Sequence, residues 1–268
     1  MAKMLAQHVG TSNVHVGCNA AWGISASVPS IQCRCPLSQK EKKMKKFGNF
    51  WVPDADAKGA KNRKRMAALF GAKEGSIEAL ELAIEHIRKN KPALLTNGGS
   101  AIDAGANVGS YTRVLAKHFT KVYAFEPARD TFQCLERNVF ENGDYDKVHL
   151  YNAAVSDERS YVGVKRSWLR LSITSTVSGK GDVPAVPLDS LALDGLRFLK
   201  LDVEGFEYQA LLGAKATIEK CRPVVLMEVK PAEEEQLPAP YKAEKLLLSM
   251  GFTAVLTAGI NRLYYPCE

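Results

Sequence analysis

The fold is decided by the stretch Ala101-Ile102-Asp103-Ala104-Gly105-Ala106-Asn107-Val108-Gly109-Ser110-Tyr111-Thr112, followed by Ala124-Phe125-Glu126-Pro127. The first part has the pattern of a strand end, a tight glycine turn and a helix start, and the second part ends another strand on an acid. An open α/β sheet holds an adenosine-bearing cofactor with this pair of elements. Gly105 permits the sharp turn, Gly109 permits close packing of helix on strand, and Glu126 can accept hydrogen bonds from both ribose hydroxyls. We therefore expect a nucleoside-cofactor site here.

The spacing of the turn indicates which cofactor it fits. A dinucleotide fingerprint needs G-x-G-x-x-G, whose second glycine lets the backbone approach a pyrophosphate. Asn107 stands at that second position. Asp103, before the turn, would repel a pyrophosphate but suits the ammonium of an amino acid. These features favour S-adenosylmethionine over NAD, the alternative being an ordinary turn whose glycines are only steric.

Composition and charge narrow the class of protein. The chain has 268 residues, 46% of them hydrophobic, which is enough for one α/β domain with an appendage. No apolar run approaches the roughly 20 residues of a membrane span. The net charge of +7 is concentrated in residues 40–73, whereas residues 1–39 are short of acids and the remainder of the chain is slightly acidic. Any electrostatic case for nucleic-acid binding is therefore confined to the amino-terminal arm.

The cysteines show no metal-binding or disulfide spacing. We expect free thiols in a reducing compartment and no metal site, the cysteines being Cys18, Cys33, Cys35, Cys134, Cys221 and Cys267. No continuous apolar core follows Lys3, so a secretory signal is not indicated. The sequence predicts an intracellular, cytoplasmic protein, with organellar targeting by residues 1–39 as the alternative.

The order of patterns along the chain predicts three parts. Residues 1–46 read as a basic arm, either disordered or targeting, and residues 47–97 as a strand and a helix that pack on the core. Residues 98–268 predict an α/β, doubly wound, mostly parallel seven-stranded sheet with a terminal antiparallel hairpin, a Rossmann-like fold. Strands are expected at 100–104, 121–125, 148–152, 198–203 and 224–229, helices at 110–118, 129–140, 208–219 and 238–250, and the hairpin at 252–257 and 262–265.

Five motifs in order resemble the FkbM family of S-adenosylmethionine-dependent methyltransferases. They are Ile102-Asp103-Ala104-Gly105-Ala106-Asn107-Val108-Gly109, Phe125-Glu126-Pro127, Asn152-Ala153-Ala154-Val155-Ser156-Asp157, Val186-Pro187-Leu188-Asp189-Ser190-Leu191 and Leu199-Lys200-Leu201-Asp202-Val203-Glu204-Gly205-Phe206-Glu207. The resemblance covers about residues 98–230 and implies a class I methyltransferase fold that usually O-methylates sugar or polyketide-like hydroxyls. Residues 1–75 fall outside it.

The resemblance also implies roles for single residues. Glu126 would bind the ribose, and Asp202 would point toward the methionine end of the cofactor and the acceptor. The cofactor turn is assigned to Asp103, Gly105, Asn107 and Gly109, and the adenine floor to Asn152, Ala153 and Ala154.

Methyl transfer to an alcohol calls for a base, because a hydroxyl is a poor nucleophile. The cluster at 200–207 can supply one, and we expect Glu204 or Asp202 to be the base, with Glu204 preferred. Lys200 shares a strand face with Asp202, so a buried Lys200–Asp202 pair is expected in the catalytic set. Glu207 is expected in the first turn of the next helix, where it either caps the helix or joins the catalytic cluster. A carboxylate set with Glu228 could hold a divalent metal, which we do not favour because no Asp-Asn pair completes it.

The methyl acceptor is left with alternatives. A small molecule or glycan hydroxyl is the leading expectation, since the turn at 202–205 lacks the prolines of many N-methyltransferases. The alternative is RNA or an acidic protein held by the basic amino-terminal residues 40–73. The irregular segment 157–182 is either an acceptor-binding insertion or a surface ribbon, and its candidate contacts are Lys165, Arg166, Trp168, Arg170, Ser172 and Thr174.

Overall fold

Strands and helices alternate through the part of the chain that the computed structural model describes, which is residues 44–70, 77–96, 98–166, 175–229 and 239–267. The strands are β1 (Met44–Phe47), β2 (Phe50–Pro53), β3 (Ser100–Ala104), β4 (Lys121–Phe125), β5 (Val148–Tyr151), β6 (Ala154–Val155), β7 (Ser160–Arg166), β8 (Ser175–Val186), β9 (Leu196–Leu201), β10 (Val224–Glu228), β11 (Phe252–Ala258) and β12 (Asn261–Pro266). The helices are α1 (Ala60–Phe70), α2 (Glu78–Asn90), α3 (Ala93–Thr96), α4 (Ser110–His118), α5 (Arg129–Asn142), α6 (Glu207–Leu212), α7 (Lys215–Cys221) and α8 (Ala239–Ser249).

Seven strands form the central sheet in the order β11-β12-β10-β9-β3-β4-β5. The pairs β10–β9, β9–β3, β3–β4 and β4–β5 are parallel, and β12 runs antiparallel to both of its neighbours. The predicted fold class, a mostly parallel seven-stranded sheet ending in an antiparallel hairpin, is confirmed. Because the parallel strands end at one edge, β3, β4, β9 and β10 deliver their following loops to the same side of the sheet.

Helices cover both faces of this sheet, as the apolar strands require. All five residues of β3 and of β10 are buried. Ala101 faces the core beneath α2 and α4, and Ile102 faces the core beneath α6, α7 and α8. Where the sequence predicts one helix within residues 47–97, the structure has α1, α2 and α3, and α2 buries Leu80, Ala83, Ile84 and Ile87 at helical spacing. No helix among the described residues has the length and apolar character to cross a membrane.

The amino-terminal segment departs from its prediction as a single strand. It forms the β1–β2 hairpin, closed by the two-residue turn Gly48-Asn49, because a two-residue turn suits antiparallel pairing. Asn138 of α5 fixes this hairpin, since its Oδ1 accepts from the Trp51 amide at 2.7 Å and its Nδ2 donates to the Trp51 carbonyl at 2.9 Å. Residues 1–43, which include most of the predicted basic arm, lie outside the described residues.

The predicted helix at 208–219 is two helices, α6 and α7. The helix is interrupted at Gly213, where a Cβ atom would lie 2.0 Å from the Ser156 carbonyl oxygen. Asp189 then caps α7, because its carboxylate accepts the amides of Ala216 and Thr217 at 3.1 and 2.8 Å. These contacts join segments far apart in sequence, which helical periodicity does not reveal.

The segment predicted as irregular contains a ribbon, β7 paired antiparallel with β8, and β8 also pairs with β6. Trp168, Arg170, Ser172 and Thr174 lie outside the described residues, so an acceptor-binding role for this segment stays a prediction. Three of the cysteines expected as thiols, Cys134, Cys221 and Cys267, are free; the other three lie in the undescribed amino-terminal segment.

Candidate functional site

The glycine turn after β3 lies against the end of β9. Gly105 has φ +79°, and a Cβ atom there would lie 1.8 Å from the Asp202 carbonyl oxygen, so only glycine fits this position. The amides of Gly105 and Ala106 donate to the Phe125 carbonyl at 3.0 and 2.8 Å. The turn is therefore fixed between the carboxyl ends of β4 and β9.

The second half of the turn starts helix α4. Gly109 has φ +96°, and a Cβ atom there would lie 2.8 Å from Leu135 Cδ1 of α5. Asn107 adopts φ +53°, and its side-chain Oδ1 accepts the Val108 amide at 2.7 Å. Asparagine tolerates the left-handed region better than most residues, which explains its use at this position.

Glu126, at the end of β4, is bonded to the turn. Its Oε2 accepts the Asn107 amide at 3.0 Å and its Oε1 accepts the Ala128 amide at 2.8 Å. Burial, which leaves the residue 5% exposed, raises the pKa of Glu126 to about 7 against the opposing effect of these two amides. Each oxygen keeps a further lone pair, so the carboxylate can still accept from a ligand hydroxyl.

The segment after β5 supports the Glu126 backbone. Asn152 Nδ2 donates to the carbonyls of Glu126 and Pro127 at 2.9 and 3.1 Å. Ala153 and Ala154 are buried beside it. The structure thus brings Asn152 to the same edge of the sheet as the turn and Glu126, whereas Ala154 lies in β6 and packs with Val162 and Ala185 of the β7–β8 ribbon.

A buried ion pair lies directly beneath the turn. Asp103 is fully buried, and its Oδ2 accepts from Thr112 Oγ1 at 2.6 Å while its Oδ1 lies 3.1 Å from Lys200 Nζ. Lys200 Nζ also donates to the carbonyls of Gly105 and Ala104, at 2.7 and 3.2 Å. This arrangement connects β9 to β3 and to the turn.

The predicted pairing of Lys200 with Asp202 is present, but Asp202 is not buried and a second carboxylate lies closer to Lys200. Asp202 Oδ2 lies 3.8 Å from Nζ, so the nearer carboxylate belongs to Asp103. Burial alone would lower the pKa of Lys200, but Asp103 and Asp202 outweigh it and the pKa is raised. Lys200 is therefore a buried, permanently charged cation.

Three carboxylates meet at the ends of β9 and β10. Side-chain oxygens of Asp202, Glu204 and Glu228 all lie within 4.8 Å of one another. The Asp202 side chain is 41% exposed and Glu228 is 8% exposed. Glu204 adopts φ +51°, a left-handed conformation that costs a non-glycine residue about 1 kcal/mol or more. This set can accept a proton or attract a cationic or hydroxyl-bearing group.

Glu207 holds the loop that presents Glu204. It is fully buried, and its Oε1 accepts the Val203 amide while both of its oxygens accept the Gly205 amide, at 3.0 to 3.2 Å. Burial, with Asp202 nearby, raises the pKa of Glu207 against these amides. Glu207 lies in the first turn of α6, as predicted, and its hydrogen bonds hold the loop that precedes the helix.

Sequence reasoning missed two neighbours of this site, Tyr111 and Thr112. Lys200 Nζ lies 5.4 Å from the centre of the Tyr111 ring. Burial raises the pKa of Tyr111 to about 12, which Lys200 opposes and Asp202 reinforces. Both residues lie in the first helical turn of α4, directly after the glycine loop. Their position next to that loop was the sequence signal that could have identified them.

Comparison with known proteins gives one family match and several partial structural matches. Residues 103–254, more than half of the chain, match the family model described as the methyltransferase FkbM domain. A methyltransferase FkbM structure from Methylobacillus flagellatus KT is 18% identical, with 63% of this chain and 44% of that chain covered and a TM-score of 0.44. The chain thus spans less than half the length of that protein. No curated protein matches the sequence.

Two further solved structures are similar over most of their own length. An rRNA methylase from Streptococcus thermophilus is 13% identical, with 71% of this chain and 98% of that chain covered and a TM-score of 0.45. A methyltransferase from Streptococcus mutans, in complex with SAH, is 14% identical, with 70% and 96% covered and a TM-score of 0.44.

Proposed function

The chain belongs to the FkbM methyltransferase family, and on that premise we propose that it transfers a methyl group from S-adenosylmethionine to a hydroxyl of a neutral sugar or another small molecule. The main support for the proposal is that acidic side chains lie at two positions along one edge of the central sheet. Glu126 is bonded to the glycine turn, and the carboxylates of Asp202 and Glu204 stand at the end of β9 beside that same turn.

The residues at this edge fit S-adenosylmethionine. Glu126, with its carboxylate fixed by two amides, would hold the ribose hydroxyls, and Asn152, Ala153 and Ala154 would border the adenine. Asp202, which is partly exposed, would face the methionine end. When bound, the cofactor supplies an electrophilic methyl group, so the protein has to align the acceptor and exclude water.

Lys200 and Asp103 lie beneath the glycine turn and support it. Both are buried and form an ion pair. Lys200 donates to the turn at Gly105 and Asp103 accepts from Thr112 of α4, so neither is placed to meet an acceptor. We propose that the two residues hold the turn in place beneath the cofactor, and that Lys200 also helps to position Asp202, which lies 3.8 Å away.

Glu204 is the proposed general base. It lies beyond the strand end, within reach of Asp202 and Glu228, and Glu207 fixes the loop on which it stands. Removal of the hydroxyl proton as the new C–O bond forms would make the acceptor oxygen a competent nucleophile. Asp202 is the alternative base.

Charge at the acceptor end supports a neutral acceptor. The carboxylates of Asp202, Glu204 and Glu228 lie within 4.8 Å of one another there, and such a grouping disfavours a substrate with a phosphate or carboxylate beside the reacting hydroxyl. The loop 202–205 contains no proline, which supports oxygen over nitrogen as the atom that is methylated.

The test is transfer of tritiated methyl from S-adenosylmethionine to a panel of neutral hexoses, methyl glycosides and simple phenols, with sugar phosphates as anionic counterparts. We expect a product from neutral members only, and Glu204→Gln should lower kcat by about 10²-fold or more. Glu219→Gln, the same change on an exposed residue of α7, is the matched control. Transfer confined to sugar phosphates would contradict the proposal, as would full activity of both Glu204→Gln and Asp202→Asn.

A further inference from the structure

Helix α1 and the two residues before it carry a dense run of cations that the catalytic site does not use. Within residues 57–70 there are five basic side chains and no acidic one, namely Lys58, Lys61, Arg63, Lys64 and Arg65. All are exposed except Arg65, which is partly buried. We call this set the α1 cationic face.

Packing of the helix fixes which way the cations point. Met66 and Phe70 are buried with Phe50 and Val52 of the hairpin, so one side of α1 faces the protein. At 100° per residue, Lys61 and Lys64 lie on the opposite side, one helical turn apart. Lys61 and Lys64 therefore project from a helix that is held in place by its apolar side.

The α1 cationic face has no acidic partner among the described residues, unlike the lysines of the adjoining hairpin. In the adjoining hairpin Lys45 pairs with Asp54 at 3.1 Å and Lys46 with Glu141 at 2.8 Å. No such pair involves any of the five cations of the α1 cationic face within the described parts of the chain. An uncompensated group of this density attracts a polyanion.

We propose that the α1 cationic face binds the phosphate backbone of double-helical nucleic acid. Charge complementarity supports a backbone contact. The large exposed hydrophobic residues of the described chain, Leu82, Phe140, Tyr161, Leu248 and Ile260, all lie outside α1. The face thus offers no aromatic platform for unstacked bases, no apolar wedge for a membrane and no hydrophobic anchor for a protein partner.

This inference is independent of the proposed function, because it concerns where the enzyme is held and not what it methylates. Contacts with phosphates do not distinguish one base sequence from another, so we expect this binding to be independent of sequence. Each phosphate contact steepens the salt dependence, so that log K falls against log salt with a slope of about −0.9 per contact.

The test measures binding of the full-length protein to a fluorescein-labelled RNA duplex of about 20 base pairs, between about 50 and 200 mM salt. For the Lys61→Gln/Lys64→Gln variant we expect affinity roughly 10-fold to 100-fold weaker near 0.1 M salt and a slope shallower by about 1.8. The matched control is Lys215→Gln/Lys220→Gln, which removes two exposed lysines of α7 that pair with Glu219 and Asp194. The control should bind as the wild type does, and a DNA duplex of the same length should depend on Lys61 and Lys64 in the same way.

Three results would overturn the proposal. The first is that the wild type does not bind the duplex even at the lowest salt. The second is that the Lys61/Lys64 and Lys215/Lys220 double variants weaken duplex binding equally, which would show that binding depends only on net charge. The third is loss of binding to phosphatidylserine vesicles in the Lys61/Lys64 variant without loss of duplex binding, which would assign the face to a membrane. S-adenosylmethionine titration of the same variant separates this test from that of the proposed function, since its cofactor affinity should be unchanged.

Discussion

Replacement of Lys200 by methionine tests whether the buried ion pair holds the cofactor turn. Lys200 Nζ stands 3.1 Å from the fully buried Asp103 and donates to the carbonyls of Gly105 and Ala104. Methionine fills a similar volume, so the cavity contribution is small, but Asp103 is left as an uncompensated buried charge. Loss of one partner of such a pair costs roughly 3–5 kcal/mol.

For a chain of this size that loss corresponds to a fall in Tm of about 10 °C. The measurement is urea unfolding of wild type and Lys200→Met, followed by fluorescence and by far-UV circular dichroism so that two-state behaviour can be verified. The Asp103→Asn/Lys200→Met double variant removes both charges, and we expect it to recover part of the loss because no charge is then stranded. A loss below about 1 kcal/mol in the single variant, or a double variant no more stable than it, would refute the reasoning.

Three further predictions follow from contacts at the same edge. Gly105→Ala should prevent stable folding or abolish cofactor binding, because its Cβ would overlap the Asp202 carbonyl; thermal melting with and without S-adenosylhomocysteine measures both. Because burial raises the pKa of Glu126 to about 7 from 4.5, the folded state binds the proton more tightly than the unfolded state. This contribution to stability is complete below about pH 4.5 and lost by about pH 7, so Glu126→Gln should flatten urea stability across that window; an unchanged slope would contradict the assignment. Glu207→Gln should speed amide hydrogen exchange at Val203 and Gly205 about tenfold or more, with Glu219→Gln as the control; unchanged exchange would mean that Glu207 does not hold the loop.

The sheet and the cofactor turn were predictable because their signals are local. The spacing of Gly105, Asn107 and Gly109 identifies a strand–turn–helix unit, and the alternation of apolar runs with helical periodicity identifies the parallel order. Glu126 ends the next strand, so its position at the same sheet edge as Asn107 could be expected from the strand order; that this edge holds adenosine stays a prediction.

The remaining features depend on contacts between distant segments. Lys200 and Asp103 are neighbours because β3 and β9 pair in parallel with these two residues opposite each other, and residue spacing within β9 alone points to Asp202 instead. The break between α6 and α7 arises where Gly213 meets Ser156. The role of Glu207 depends on the backbone path of residues 203–205, which no side-chain pattern encodes.

The most direct test of the central claim is calorimetric titration of the purified protein with S-adenosylmethionine, S-adenosylhomocysteine and NAD, for wild type and Glu126→Gln. We predict binding of the first two ligands by the wild type, no binding of NAD, and affinity weaker by about tenfold or more in the variant, since a charge-assisted hydrogen bond contributes roughly 1.5–3 kcal/mol. Binding of NAD alone, or S-adenosylmethionine affinity unchanged by Glu126→Gln, would contradict the account.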